Sequence, residues 1–224
     1  MNQILSFLSR LKSNNNRDWF NSHKEEYHSA KNEFEKLCSD LIFRMSEFDE
    51  EIGKVNLKEC FFRIYRDIRF SPDKTPYKTH FGAYMAYPGG RKSPRAGYYL
   101  HLEPGGKSFF SAGVWSPQPL VLHALRRTIY EHYDEFNELR NEADFQKFFK
   151  NSFYEEDKLK KIPAGFPADF EDPEILKLKH YLVSRDFTEK ELADKNFPDF
   201  TADLAKQAFP FVQFLNYAID EIST

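Results

Sequence analysis

The fold is decided by the stretch Ala96-Gly-Tyr-Tyr-Leu-His-Leu-Glu-Pro-Gly-Gly-Lys-Ser-Phe-Phe-Ser-Ala-Gly-Val-Trp115. On both sides of its centre, apolar residues tend to alternate with polar or small ones, and this period of two is typical of β-strands. The centre contains Pro-Gly-Gly, where proline sets the first turn angle and glycine permits a left-handed second position. We therefore predict a β-hairpin with strands Ala96–Glu103 and Ser108–Trp115.

Two segments before this hairpin show the same alternation, Cys60–Phe70 and His80–Tyr87. Together with the hairpin they predict an antiparallel meander of four strands. A short extended segment further along the chain, Tyr181–Arg185, is a candidate fifth strand. The sequence thus predicts an antiparallel sheet of four to five strands.

Both ends of the chain show helical periodicity. Apolar residues at spacings of three and four predict a short helix over Gln3–Lys12 and one long helix from about Arg17 to Glu47. Ser116 followed by proline predicts the start of a helix that continues to about Asn141. Pro210 is expected to divide the C-terminal helical region into two helices. We therefore expect an α+β fold in which helices from both chain ends pack on the sheet.

Composition indicates an ordinary globular protein. Its 224 residues are 41% hydrophobic and 30% charged, and they contain no repeat or long linker, so we predict a single domain over residues 1–224. Two cysteines are too few for a disulfide scaffold. The first twelve residues lack the order of a signal peptide, and no apolar run is long enough to cross a bilayer. We therefore expect a soluble cytoplasmic protein without membrane association.

The segment Arg63–Lys78, called here the basic segment, holds five lysines and arginines. Between Arg63 and Arg95 there are eight such residues and two aspartates, although the whole chain has a net charge of −3. A basic region on an acidic protein favours a small anionic ligand over nucleic acid, whose general binders are basic overall. We predict binding of a phosphate- or carboxylate-bearing molecule by the polar residues Arg63, Arg66, Asp67, Arg69, Asp73, Lys74 and Lys78.

An extended conformation would place Arg63, Asp67 and Arg69 on one face of a strand. We expect Asp67 to hold Arg63 or Arg69 in a partly buried pair, while the other cations meet the anion. The alternative is a purely structural network in which arginine–aspartate pairs pin this segment to the helices. The sequence favours neither interpretation over the other.

Two residues are candidates for proton transfer, His101 and Tyr77, and His80 is placed to share a pocket with His101. The chain has no H-x-H, H-E-x-x-H or D-x-D spacing and no dinucleotide or phosphate-loop fingerprint. The sequence therefore predicts no metal and no cofactor.

Several motifs carry a family resemblance. Asn16-Arg-Asp-Trp-Phe20, Arg66-Asp-Ile-Arg-Phe-Ser-Pro-Asp-Lys-Thr-Pro-Tyr-Lys78 and Gly97-Tyr-Tyr-Leu-His-Leu-Glu-Pro-Gly105 resemble a conserved microbial family with bacterial and fungal members, which is classed as a domain of unknown function. The resemblance covers nearly the whole chain and implies a single domain. It implies no particular activity.

Two classes of function agree with these observations. The first is a small-molecule-binding or enzymatic domain with a pocket lined by arginine and lysine. The second is a non-catalytic interaction module that docks an acidic partner through its basic region. A concave pocket would favour the first class and a flat exposed band the second. The sequence determines neither the ligand nor the oligomeric state.

Overall fold

The computed structural model describes residues 1–150 and 153–222. Its residues group into two compact units, each built from separate stretches of chain. Unit 1 contains Met1–Lys92, Tyr99–Phe110 and Asp186–Asp203, and unit 2 contains Ser93–Tyr98, Ser111–Arg185 and the chain from Leu204. The prediction of a single domain stays a prediction.

Four strands form one antiparallel sheet in the order β1-β2-β3-β4. They are β1 (Phe81–Met85), β2 (Gly97–Leu102), β3 (Phe109–Val114) and β4 (Tyr181–Asp186). The predicted hairpin is present as β2 and β3, and the candidate strand at Tyr181–Arg185 is present as β4. The α+β class and the antiparallel sheet are therefore confirmed.

Ten helices are present in the described part of the chain. They are α1 (Asn2–Ser13), α2 (Arg17–Ser22), α3 (Lys24–Met45), α4 (Leu57–Cys60), α5 (Pro119–Glu131), α6 (Tyr133–Asn141), α7 (Ala143–Phe149), α8 (Pro173–Leu176), α9 (Glu189–Ala193) and α10 (Phe197–Glu221).

The first predicted strand, Cys60–Phe70, is wrong. Cys60 ends α4, and the chain after it makes only isolated bridges, one of them between Tyr65 and Tyr77. The segment folds back on itself because Arg66 N–H donates to the carbonyl of Pro76 (2.9 Å) and Lys78 N–H donates to that of Ile64 (2.8 Å). Pro72 and Pro76, in the part of the chain that returns to this segment, lack the N–H that a regular ladder requires.

Two predicted helices are each divided at a histidine. The single helix expected from Arg17 to Glu47 is observed as two helices, α2 and α3. The single helix expected to end at about Asn141 starts at Pro119 and is observed as α5 and α6. His23 (φ −114°, ψ 23°) and His132 (φ −121°, ψ 42°) leave the helical region of backbone space. His23 Nδ1 also lies 2.7 Å from the carbonyl oxygen of Trp19, a local bond that competes with helix continuation.

The expected break at Pro210 is also wrong. Helix α10 continues through Pro210, whose ring lies on an exposed position of the helix. The proline removes one backbone donor, but the long apolar face of α10 remains continuous on both sides of it. Burial of this face therefore outweighs the loss of a single hydrogen bond.

Each unit has an aromatic core. In unit 1, the rings of Phe7 and Phe20 lie 6.5 Å apart, and Phe34 of α3 stacks on Phe81 of β1 at 5.5 Å. In unit 2, Phe136 is fully buried within ring-contact distance of neighbouring phenylalanines, Phe153, Phe211 and Phe214. Aromatic rings therefore supply much of the apolar area that stabilises both units.

Helix α10 is the longest helix of the described residues, with 25 residues. Neither it nor any other helix in residues 1–150 and 153–222 is long and apolar enough to cross a membrane. The cytoplasmic location stays a prediction.

Candidate functional site

The basic segment forms a closed loop within unit 1. Backbone pairing of residues 64–66 with residues 76–78 brings its two ends together. Inside the loop, the Arg66 guanidinium donates to the Asp73 carboxylate, to the Thr75 hydroxyl and to Ser71 Oγ (3.4 Å). Arg66 and Asp73 are both predicted from the sequence to bind a ligand. Their side chains bond to each other and to neighbouring loop residues, and these bonds stabilise the loop.

The tip of this loop is exposed. Arg69 Nη2 donates to Asp67 Oδ2 at 2.7 Å, with 75% and 44% of the two side chains exposed. Lys74 Nζ donates to the carbonyl of Ile68 at 3.0 Å, and Phe70 is 94% exposed. Asp67 does hold Arg69, but the expected burial of this pair is wrong.

Tyr77 anchors the base of the loop. Its side chain is 4% exposed and stacks on Phe20 with ring centroids 4.0 Å apart. The Asn15 side chain also makes two hydrogen bonds to the backbone of Tyr77. Asn15 Oδ1 accepts from Tyr77 N–H (3.1 Å), and Asn15 Nδ2 donates to the Tyr77 carbonyl (2.9 Å). The ring contacts of His101 are with other residues, His80, Tyr99 and Phe109. The structure therefore does not bring the two proton-transfer candidates, Tyr77 and His101, into one site.

His101 belongs to a second polar group, on strand β2 in unit 1. The period of two places Tyr99, His101 and Glu103 on one face. His80 immediately precedes β1, the neighbour of β2, and its ring lies 4.3 Å from that of His101. The expected proximity of these two histidines is observed. We call His80, His101 and Glu103 the His–Glu cluster.

Hydrogen bonds fix the orientation of two members of the cluster, His101 and Glu103. Tyr99 Oη lies 3.0 Å from His101 Nδ1, and His101 Nε2 lies 3.2 Å from Glu103 Oε2. The Thr79 hydroxyl donates to the other carboxylate oxygen, Oε1, at 3.2 Å. Gly82 leaves room for the Tyr99 ring, since a Cβ there would stand 2.5 Å from Oη.

His80 is held less firmly. Its Nδ1 lies 4.0 Å from Glu103 Oε2, and within the described residues its ring nitrogens have no hydrogen-bond partner. The ring is half-buried. His80 is therefore the member of the cluster whose nitrogens are available to a ligand.

Burial decides the charge states of the cluster. It lowers the pKa of His80 to about 4, helped by His101 and Lys78 and opposed by Glu103. Burial also lowers the pKa of His101, and it raises that of Tyr99 to about 12. Near pH 7 the cluster therefore presents two neutral imidazoles and a protonated phenol beside a carboxylate.

Lys78 connects the basic segment to this cluster. The half-buried ammonium lies 5.4 Å from the centroid of the Phe62 ring, and burial followed by the charge of Arg63 lowers its pKa. Its charge also contributes to the lowered pKa of His80 and of His101. Of the described residues, none places a carboxylate oxygen within 4.0 Å of its Nζ.

A surface groove of about 610 Å³ lies elsewhere in unit 1. It is lined by the first four residues, by Glu33 and Leu37 of α3, and by residues 192–195, 197 and 198. The basic segment and the His–Glu cluster contribute no residue to it. The prediction of an arginine- and lysine-lined pocket gains no support from this groove.

The sequence-based reasoning missed Glu103 and Thr79. It used Glu103 only as the end of the predicted strand Ala96–Glu103, although the alternation that predicted the strand also places this residue on the face of His101. Thr79 carries no comparable signal, because only the pairing of β1 with β2 brings it to the carboxylate.

The fold and site define an α+β protein with a half-buried histidine–carboxylate cluster and a nearby lysine that has no carboxylate partner among the described residues. The family model of the conserved hypothetical protein family DUF2461 matches residues 3–214, and the chain belongs to this family. Family membership confirms the resemblance to a domain of unknown function, while the core pattern in Arg66–Lys78 stays a prediction. The chain matches no curated protein and no solved structure.

Proposed function

We propose that the protein is an enzyme that acts on a small molecule carrying a phosphate or carboxylate group. Lys78 binds the anionic group, and the adjacent His–Glu cluster performs the chemistry. The observation that carries this proposal is the half-buried Lys78 ammonium, which has no carboxylate partner in the described residues. Its charge adds to the effect of burial in lowering the pKa of His80 and of His101.

Electrostatics support an anion at this position. Partial burial of an unpaired charge is unfavourable, and a phosphate or carboxylate oxygen would compensate it through a charge-assisted hydrogen bond. A bound anion would also offset the Lys78 charge that lowers the pKa of His80. Burial is the main cause of the low His80 pKa, so the anion would remove only the smaller contribution of Lys78 and would raise this pKa above about 4. The imidazole would then come nearer to the neutral range, where it exchanges protons most efficiently. Glu103, 4.0 Å away, would stabilise the resulting imidazolium.

The test is anion binding at low ionic strength with EDTA present. We expect inorganic phosphate or a small carboxylate to raise the melting temperature and to give measurable heat in calorimetry. Lys78→Ala removes one charge-assisted hydrogen bond, about 1.5–3 kcal/mol, so affinity should fall about ten- to hundredfold. Lys74→Ala is the matched control, since it removes an exposed lysine of the same segment that bonds only a backbone carbonyl.

Histidine ring signals in NMR spectra locate the anion. We expect the signals of His80 and His101 to shift on titration with phosphate, and that of His28, exposed on α3, to stay in place. If no anion raises the melting temperature, or if Lys78→Ala binds as wild type does, the proposal is wrong.

A second candidate is the interaction module. The observation that favours it is the loop tip, where the exposed Phe70 ring lies 5.9 Å from the Arg69 guanidinium and Lys74 is also exposed. An exposed ring among cations is a surface that an acidic partner could cover. A loss of anion binding in Lys74→Ala and not in Lys78→Ala would favour this candidate.

A further inference from the structure

We propose that the His–Glu cluster binds a divalent transition-metal ion of the zinc class. The ligands are His80 Nδ1, His101 Nε2 and Glu103 Oε2. This inference goes beyond the proposed function: it concerns the same face of β2 but does not depend on the binding of an anion. With the ion bound, His80 and Glu103 are ligands, so the proton exchange proposed for His80 applies to the metal-free protein, which is the form tested in EDTA.

The ligand atoms are already close together. They lie within 4.8 Å of one another, with His101 Nε2 and His80 Nδ1 at 3.2 and 4.0 Å from the Glu103 oxygen. Tetrahedral ligands at about 2.0–2.2 Å from zinc are separated by roughly 3.3–3.5 Å. The His101–Glu103 pair therefore nearly has the required spacing, and His80, whose ring no hydrogen bond holds within the described residues, has to approach.

The charge of Glu103 favours a cation at this point. Its side chain is 15% exposed, and in residues 1–150 and 153–222 no lysine or arginine lies within 4.0 Å of its carboxylate. Its partners are the two imidazoles and the Thr79 hydroxyl. A largely buried carboxylate with no lysine or arginine within 4.0 Å among the described residues is unfavourable, and a divalent ion would compensate its charge.

The surrounding residues form the outer shell that a metal site needs. Ligand histidines are oriented through their second ring nitrogen, and ligand carboxylates through hydrogen bonds to their other oxygen. Tyr99 Oη meets Nδ1 of His101, and the Thr79 hydroxyl meets Oε1 of Glu103. On metal binding the single ring proton of His101 would reside on Nδ1 and be donated to Tyr99 Oη, which leaves Nε2 free for the ion.

The donor set selects the kind of ion. Two imidazoles and one carboxylate suit zinc and the neighbouring first-row metals, whereas magnesium and calcium prefer oxygen ligands. Three protein ligands leave at least one coordination position open, as in catalytic zinc sites. With Lys78 nearby, that open position would favour an anionic ligand, which is the class already proposed for this face.

Zinc chloride titrated into EDTA-treated, desalted protein is the probe, followed by calorimetry and, with cobalt chloride, by visible absorption. We expect one ion per chain for wild type and no comparable binding of magnesium or calcium. Glu103→Gln keeps the shape of the side chain, and His80→Ala removes the half-buried ligand. Each should weaken binding at least about 100-fold, whereas His28→Ala, which removes an exposed histidine of α3, should leave it unchanged.

Tyr99→Phe is the finer variant, because it retains the ring and removes only the hydroxyl behind His101. A loss of about 10–100-fold is expected for an outer-shell partner. Melting curves in EDTA show whether each variant folds without metal. The proposal is overturned if wild type binds less than one zinc, if magnesium binds as tightly, or if folded Glu103→Gln and His80→Ala bind as wild type does. Because the phosphate titration of Lys78→Ala is done in EDTA, failure of the metal site and failure of the anion site give different results.

Discussion

The basic segment and the His–Glu cluster are two polar regions of unit 1 that differ in how their charges are used. In the basic segment, charged side chains bond to near neighbours, as in the pairs Arg69–Asp67 and Arg66–Asp73. In the cluster, His80, which immediately precedes β1, and His101 of the neighbouring strand β2 meet at one carboxylate. The basic segment, where charged residues are dense along the chain, is therefore a loop whose charges are largely paired with one another. The His–Glu cluster, whose residues are brought together by the pairing of strands, is the better candidate site.

Exposure is the physical reason for this difference. Charges at the loop tip are exposed to solvent, which screens them, so their pairing contributes little energy. The cluster lies on a half-buried sheet face, where each polar group needs a partner and an unpaired one is available to a ligand. Three predictions test this comparison.

The largest effect is expected at the base of the loop. Tyr77→Ala removes a buried ring stacked on Phe20 and should lower the free energy of unfolding by about 3–5 kcal/mol. Phe70→Ala, the matched control at the tip, should change it by less than about 0.5 kcal/mol, since the ring is 94% exposed. Urea denaturation measures both. Equal losses would mean that the tip is also packed and that the contrast with the cluster is false.

An intermediate effect is expected from acid. Hydrogen bonds from Thr75 N–H and from Arg66 hold the pKa of Asp73 at about 2, below its usual 3.8. A lowered carboxyl pKa stabilises the folded state above the usual value, and this stabilisation is lost as the pH falls through about 2. Wild type should therefore exceed Asp73→Asn in stability at pH 7, and the difference should vanish near pH 2. A difference that persists in acid would show that the carboxylate charge does not hold the loop.

The smallest effect is expected at Asp67. Because Asp67 and Arg69 form an exposed pair, Asp67→Ala should leave the melting temperature at neutral pH equal to that of wild type. The buried pair expected from the sequence would instead make this substitution strongly destabilising. A melting temperature several degrees below that of wild type would show that the Asp67–Arg69 pair is buried after all. The basic segment and the His–Glu cluster would then no longer differ in the exposure of their charges.

Local signals predicted much of the fold. The β2–β3 hairpin follows from alternation around Pro-Gly-Gly, and β4 from a short extended run. The predictions that failed depend on interactions outside the local pattern. Cys60–Phe70 alternates as a strand does, but its residues 64–66 pair with residues 76–78 of the same loop. Helix α10 continues through Pro210 because its apolar face stays buried.

The sequence by itself determined the α+β class, the antiparallel hairpin and the presence of a basic segment, because strand periodicity and turn chemistry are local properties. It also indicated His101 as a candidate for proton transfer, but it did not single out Glu103. Only the tertiary structure decided that His80 meets His101, that Thr79 holds Glu103, and that the charge of Lys78 acts on both histidines. These outcomes depend on which strands pair and on which charges are buried, and neither is a property of residues that are neighbours in sequence.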